Sequence, residues 1–175
     1  MIVTLTISIL LVVLYVGAAI RKKCDLPDSI SGMVYVLPKG GWRWLWTIWI
    51  WIVGFILAPC LIGALDESFR FLGFVTIVML IFCGAMPLFD KDNNALHNFF
   101  GVSACVLSQV CVTIICPWCL LFWTILIGVC VYDYFARNYP KWLRGKGVFI
   151  AETICFMALV CALFIRVLSA SPVAS

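Results

Sequence analysis

Residues 1–23 read MIVTLTISILLVVLYVGAAIRKK. The stretch is apolar from its second residue, and its charges, Arg21, Lys22 and Lys23, follow the apolar run instead of leading it. A cleaved signal peptide carries its positive region in front. These residues therefore predict a retained helix whose N-terminus is translocated. Crossing the hydrocarbon core of a bilayer takes about 20 mostly apolar residues, and five further stretches reach that length. The predicted spans are 2–20, 43–65, 70–88, 97–115, 118–136 and 148–169. The connections between 65 and 70 and between 115 and 118 are short enough to make the joined helices antiparallel neighbours.

Composition agrees. Of 175 residues, 65% are hydrophobic and 11% charged, and the mean hydropathy is +1.16. Soluble domains carry about 45–50% apolar and about 25% charged residues. A soluble fold of this length leaves too much of its surface wet to hide such a chain, so lipid is the expected solvent. Without repeats or linkers, residues 1–175 read as one domain. The expected fold is all-α, a bundle of six transmembrane helices.

The basic residues set the expected orientation. Ten of the twelve Lys and Arg residues fall in the first, third and fifth connections: Arg21, Lys22, Lys23, Lys39, Arg43, Lys91, Arg137, Lys141, Arg144 and Lys146. Arg70 and Arg166 are the remainder. Cytoplasmic loops hold the Lys/Arg excess, which places these connections inside and both termini outside. The expected location is the inner, cytoplasmic membrane of a bacterium. The net charge of +4 is absorbed by this asymmetry, and no basic run interleaved with aromatics points to nucleic acid.

The first connection is too long for a bare turn. Residues 25–31 have capping and turn chemistry, and the apolar run 33–37 suggests a short interfacial segment. Trp42, Trp44, Trp46, Trp49 and Trp51 then open the second span. Tryptophan favours the membrane–water boundary, so anchoring is the first reading and an aromatic box for a cofactor the second. On the fourth span, Gly101, Ala104, Cys105, Ser108 and Cys111 recur at helical spacing. Small residues at that period let helices approach closely in lipid, which makes the stripe a packing seam in preference to a substrate path. Gln109, deep in the same span, needs a partner, and Arg166 needs a partner or a route to water.

Two constellations could carry chemistry. The first lies at the expected cytoplasmic ends: Asp90 and His97 around the third connection, Asp133 near the end of the fifth span, and Glu152 near the start of the sixth. Ser29 and Ser31 of the first connection could fold over them. Ionisable groups within spans are costly and often functional, whereas helix ends can reach water and pair locally, as Asp133 can with Arg137. A headgroup or small-ligand pocket therefore competes with solvated helix ends. His97 is the only histidine, which excludes a haem held by two histidines within one chain. No Cys/His spacing suits zinc, and no metal ligand set is expected. Ser29-Ile30-Ser31, with His97-Asn98 and Gly101 opening the fourth span, resembles a superfamily of small membrane proteins. It includes the DRAM autophagy modulators and the post-GPI-attachment lipid-remodelling proteins. The resemblance spans roughly residues 1–110 and implies a six-helix bundle with a lipid-related role and the serines and His97 near one polar site.

The second constellation is Cys116-Pro117-Trp118-Cys119 on the expected outer face, within a chain of ten cysteines. Pro117 suits a first helical turn, which leaves Cys116 where the positive end of the helix dipole favours a thiolate. Cys60 is a possible resolving partner. The motif is similar to the helix-opening Cys-Pro-x-Cys of the vitamin K epoxide reductase family, which implies thiol–disulfide oxidoreduction with a quinone. That family has a second cysteine pair in its first outer loop, where this chain has Cys24 alone. A tight inter-helix turn is the plainer reading.

The sequence thus points first to a non-enzymatic protein that binds or organises membrane lipid or another membrane component. It acts without a bound cofactor, alone, as a homo-oligomer or beside another membrane protein. The alternative is an oxidoreductase using Cys116 and Cys119. A small transporter comes third, since paired broken helices at the midplane are missing.

Overall fold

The computed structural model describes residues 1–23, 26–36, 43–89, 94–135 and 146–170. All regular structure among them is helical. In chain order the helices are α1 (Ile2–Lys23), α2 (Arg43–Ala64), α3 (Arg70–Phe89), α4 (Asn94–Ile115), α5 (Trp123–Phe135) and α6 (Gly147–Ala170). Short 3-10 helices run over Ser31–Val36, Glu67–Phe69 and Pro117–Phe122. Asp90 lies outside the described residues, as does the side chain of Asp133.

Among the described residues five helices are long and apolar enough to cross a membrane, those within Ile2–Arg21, Trp44–Ala64, Glu67–Phe89, Ala95–Ile115 and Gly147–Ser169. The expected span 118–136 differs from the others. It opens as the six-residue 3-10 helix Pro117–Phe122 and continues as the 13-residue α5. Proline lacks an N–H and fixes its φ; here it starts the turn, and the Cys119 N–H bonds the Cys116 carbonyl at 3.0 Å. At 1.5 Å per residue, α5 alone covers about 20 Å, less than the roughly 30 Å hydrocarbon thickness.

The bundle presents many large apolar side chains outward, and a few polar side chains lie among the apolar residues of its interior. Phe55, Phe71, Phe74, Phe99, Val106, Ile127 and Leu168 face outward, while Ser8, Thr47, Thr76, His97, Ser108 and Lys146 are buried. The main core joins Leu5 of α1, Leu57 and Leu61 of α2, Ile77 of α3, Cys111 and Val112 of α4, and Ala158 and Leu163 of α6. Helix α3 packs most extensively against α2 and α4, whereas α5 rests on α6 and on its own 3-10 helix.

One contact explains how α2 and α3 come so close. A Cβ placed on Gly84 would stand 1.8 Å from Cγ2 of Ile50, so only glycine admits this approach. Beside it the Thr47 hydroxyl donates to the Gly84 carbonyl at 2.7 Å. The Trp51 indole N–H likewise donates to the Ile81 carbonyl at 3.1 Å. At this crossing polar groups meet from one helix to the next.

Candidate functional site: a capped interior cavity

At the end of the bundle where α1 and α3 finish and α2, α4 and α6 begin, the segment 28–32 folds over the start of α6. Glu152 is the anchor. One of its carboxylate oxygens accepts the Ser31 hydroxyl at 2.6 Å and the Ser29 hydroxyl at 3.1 Å. The other accepts the Ile30 N–H, and the Ser31 N–H at 3.4 Å. The two hydroxyls lie 2.8 Å apart, and Ser29 also receives the Gly32 N–H at 2.9 Å. Four donors on one carboxylate satisfy both its oxygens and open the 3-10 helix Ser31–Val36, whose first N–H groups have no helical acceptor.

A second clasp lies one turn earlier. Lys146, almost wholly buried, places its Nζ 2.6 Å from the Asp28 carboxylate. The Asp28 carbonyl accepts the Phe149 N–H at 3.1 Å, serving one of the four free donors at the start of α6. Val34 of the 3-10 helix is buried against Trp46 and Ile50. The apolar run expected to lie at an interface thus includes a residue packed inward as a plug.

His97 joins the same end of the bundle for a backbone reason. Pro87 lies within α3 and has no N–H, so the carbonyl four residues earlier, that of Cys83, loses its helical donor. Nδ1 of His97 sits 2.9 Å from that carbonyl. A carbonyl only accepts, so Nδ1 carries the proton. The buried imidazole also interacts with the Ser31 backbone and feels the Glu152 charge. Its place is a tie from α4 to α3 and to the capping segment.

Beneath the cap lies a cavity of about 150 Å³ between α1, α2, α3, α4 and α6. Ser31 and Glu152 line its capped end, and Trp46, Trp49, Leu61, Phe156 and Leu159 line much of its apolar wall. Gly101, Ala104, Cys105 and Ser108, four of the five small residues on α4, face it, with Cys83 and Cys155. The fifth, Cys111, packs instead on Thr76, sulfur to oxygen 3.7 Å. The Cys105 and Cys155 thiols engage each other across α4 and α6. Glu152 is the sole charged residue among the described cavity-lining side chains.

The structure therefore brings Ser29, Ser31, His97 and Glu152 together. It adds Asp28, Lys146 and Cys83, which were not singled out from the sequence. Of the five tryptophans at the start of the second span, Trp42 lies outside the described residues and the other four divide. Trp44 is exposed, whereas Trp46 and Trp49 turn inward to form a cluster with Tyr15. Their ring centroids lie 5.4 and 4.1 Å from that of Tyr15, and the Trp49 N–H donates to the Leu11 carbonyl at 3.2 Å.

Cys116 and Cys119 lie at the opposite end of the bundle, both buried and both free thiols, with Trp118 exposed between them. Cys60 makes its polar contacts with α1, to the Thr4 hydroxyl at 3.0 Å and the Met1 carbonyl at 3.6 Å. The thiols nearest Cys119 in the fold include Cys116 and Cys161. Gln109 donates to the Cys155 carbonyl at 3.1 Å and to Ser108 at 3.1 Å, and it accepts the Trp123 indole N–H at 3.0 Å. Arg166 reaches Asp66 at 3.4 Å.

A scan against protein-family models, a search of curated proteins and a search of solved structures each return no match.

Proposed function

We propose that this chain is an integral membrane protein of six spanning helices that binds a lipid-like molecule in its interior cavity, without chemical turnover. The observation that carries the proposal is the cavity itself: an apolar chamber inside the bundle, ending at a capped polar group. The cavity, about 150 Å³, is half-open to the surroundings of the bundle, so a molecule from outside can enter and cover its apolar wall. The volume matches that of engineered cavities in other proteins that take up benzene, so a ring or a short stretch of chain fits inside while the rest of a lipid stays outside.

The apolar exterior and the five long apolar helices support insertion in a bilayer. The sixth span combines the 3-10 helix Pro117–Phe122 with α5, about 12 and 20 Å of rise, which together match the hydrocarbon thickness. The charge asymmetry puts the capped end of the cavity at the cytoplasmic face and both termini outside. The residues that carry the resemblance to the DRAM and post-GPI-attachment superfamily, Ser29, Ser31, His97 and Gly101, gather at this end, which favours a lipid-related role. The burial of Cys116 and Cys119 weighs against oxidoreduction, because reactive thiols are partly exposed and buried ones inert.

The test is the lipid that remains bound to protein purified in mild detergent, quantified by mass spectrometry. Ala104→Phe places a ring inside the cavity. It is expected to abolish the bound lipid while the size-exclusion profile is kept. Equal lipid content in wild type and variant would refute the proposal, as would wild-type protein that carries no specific lipid and is not stabilised by added membrane extract.

A further inference from the structure

The chamber wall carries a chemistry that ligand binding leaves unused. Cys105 of α4 and Cys155 of α6 both line it, and their thiols engage each other. A second contact fixes the same juxtaposition. One turn after Cys105, the Gln109 amide donates to the Cys155 carbonyl at 3.1 Å, so α4 and α6 are held together at this level. Both thiols are free.

The other described thiols are placed differently. Cys60 contacts the Thr4 hydroxyl at 3.0 Å, Cys111 the Thr76 hydroxyl at 3.7 Å, and Cys83 lies 3.7 Å from Nδ1 of His97. Cys116 and Cys119 share one turn and are buried. Cys105 differs from these five in being partly exposed, and the cavity it lines is half-open. Cys161 is partly exposed as well, but it lies off the cavity wall. Reactive cysteines are accessible in part and often stand beside a resolving thiol. An apolar wall admits an oxidant that dissolves in lipid and disfavours a charged one.

The geometry points to Cys105 and Cys155 as a redox pair that an organic hydroperoxide of the bilayer oxidises to a disulfide between α4 and α6. The Cys105 sulfur attacks the terminal peroxide oxygen and the O–O bond breaks. The hydroperoxide leaves as an alcohol, which takes the thiol proton, and Cys105 becomes a sulfenic acid. The Cys155 sulfur then attacks the Cys105 sulfur, the S–O bond breaks, and water leaves with the second thiol proton. Two thiols lose two electrons, and the peroxide bond gains them. The bridge ties α4 to α6 beside Gln109 and pins one side of the chamber. This inference uses the cavity wall and needs no bound lipid, so it goes beyond the lipid-binding reading.

The test treats the full-length protein, purified in mild detergent with a reductant that is then removed, with cumene hydroperoxide. Remaining thiols are blocked with N-ethylmaleimide, and proteolytic peptides are analysed by mass spectrometry without reduction. The Cys105–Cys155 bridge should become the main form of these two residues, with one cumyl alcohol formed per bridge. Dithiothreitol should return both to maleimide-reactive thiols. In Cys155→Ser the bridge is lost, and Cys105 should accumulate as a sulfenic acid that dimedone traps. Absence of the bridge in oxidised wild type overturns the inference, and this arm needs no variant to fold. A bridge from Cys105 to Cys83, the third thiol on the wall, in its place overturns it as well. So does wild-type oxidation that runs on to a Cys105 sulfinic acid while Cys155 stays free, because a resolving thiol within reach would have intercepted it.

Discussion

Glu152→Gln tests the cap directly, because it preserves shape and changes only what the carboxylate can accept. The amide keeps one acceptor oxygen and replaces the other with an NH₂ donor. Whichever way it turns, one pair of donors loses its acceptor. With the NH₂ toward the backbone, the N–H groups of Ile30 and Ser31 face another donor; with it reversed, the Ser29 and Ser31 hydroxyls must turn away. Hydrogen bonds to charged groups contribute about 1.5–3 kcal/mol each where buried. This cluster is part-buried, and its hydroxyls can re-form bonds with each other. The expected cost of opening the cap is therefore about 2–3 kcal/mol, less than the sum of two full charged bonds. Local opening governs amide exchange, so exchange at residues 29–32 should speed up roughly 30- to 140-fold, at tenfold per 1.4 kcal/mol. Hydrogen–deuterium exchange with peptide-level mass spectrometry reads this. Exchange in the core of α3 and α4 should stay at the wild-type rate, because no bond there is touched. Unchanged exchange at 29–32, or an equal rise throughout the protein, would refute the assignment of Glu152 as the anchor of the cap.

Two further substitutions probe the helix packing that surrounds the cavity. Gly84→Ala puts a methyl where Ile50 Cγ2 already stands, 1.8 Å from the new carbon, and should destabilise by about 1–3 kcal/mol as overpacking does. Combined with Ile50→Ala its cost should fall well below the sum of the two single changes, and additive costs in detergent unfolding would disprove the contact. For Gln109 and Trp123, whose bond is 3.0 Å, a double-mutant cycle of Gln109→Ala with Trp123→Phe should give a coupling of about 0.6 kcal/mol and at most roughly 1.7. Zero coupling would place the amide elsewhere.

The long helices were legible because length and apolar content are local properties. Where the reading of 118–136 fell short, the cause was also local: Pro117 begins a 3-10 turn that shortens the α-helical part to 13 residues. The meeting of Ser29, Ser31, His97 and Glu152 follows from topology, since successive antiparallel helices return the same ends to one side. What topology alone does not reveal is rotation about each helix axis. That angle turns Trp46 and Trp49 inward on Tyr15 while Trp44 remains outside. The role of His97 had a sequence signal in Pro87, which frees the carbonyl of Cys83 four residues earlier; the distance in sequence between Cys83 and His97 hides the match. Asp28 and Lys146 lie still farther apart, and nothing in either local pattern marks them as partners.

The small residues show why composition along one helix does not decide between a seam and a cavity. Gly84 on α3 is filled from outside: the Ile50 side chain enters the space that a Cβ would occupy, and α2 and α3 close on each other. On α4 a Cβ at Gly101 would meet only the Cys83 sulfur, at 3.3 Å. One turn further on, Ala104, Cys105 and Ser108 face the void that Trp46, Leu61 and Phe156 line from other sides. Those large side chains are held back by their own commitments. Trp46 packs on Tyr15 and Trp49, with ring centroids 5.4 and 5.2 Å away, while Leu61 belongs to the main core. Gln109, immediately after the stripe, ties α4 to α6 and to Trp123, which fixes α4 at a distance that its small side chains do not fill. A small residue makes a close contact where its neighbour is free to advance, and a chamber where the neighbour is pinned. In this bundle the pinning comes from ring packing around Trp46, from the apolar core around Leu61 and from the Gln109 hydrogen bonds that tie α4 to α6 and Trp123, so the cavity is a product of neighbours held apart by their own contacts.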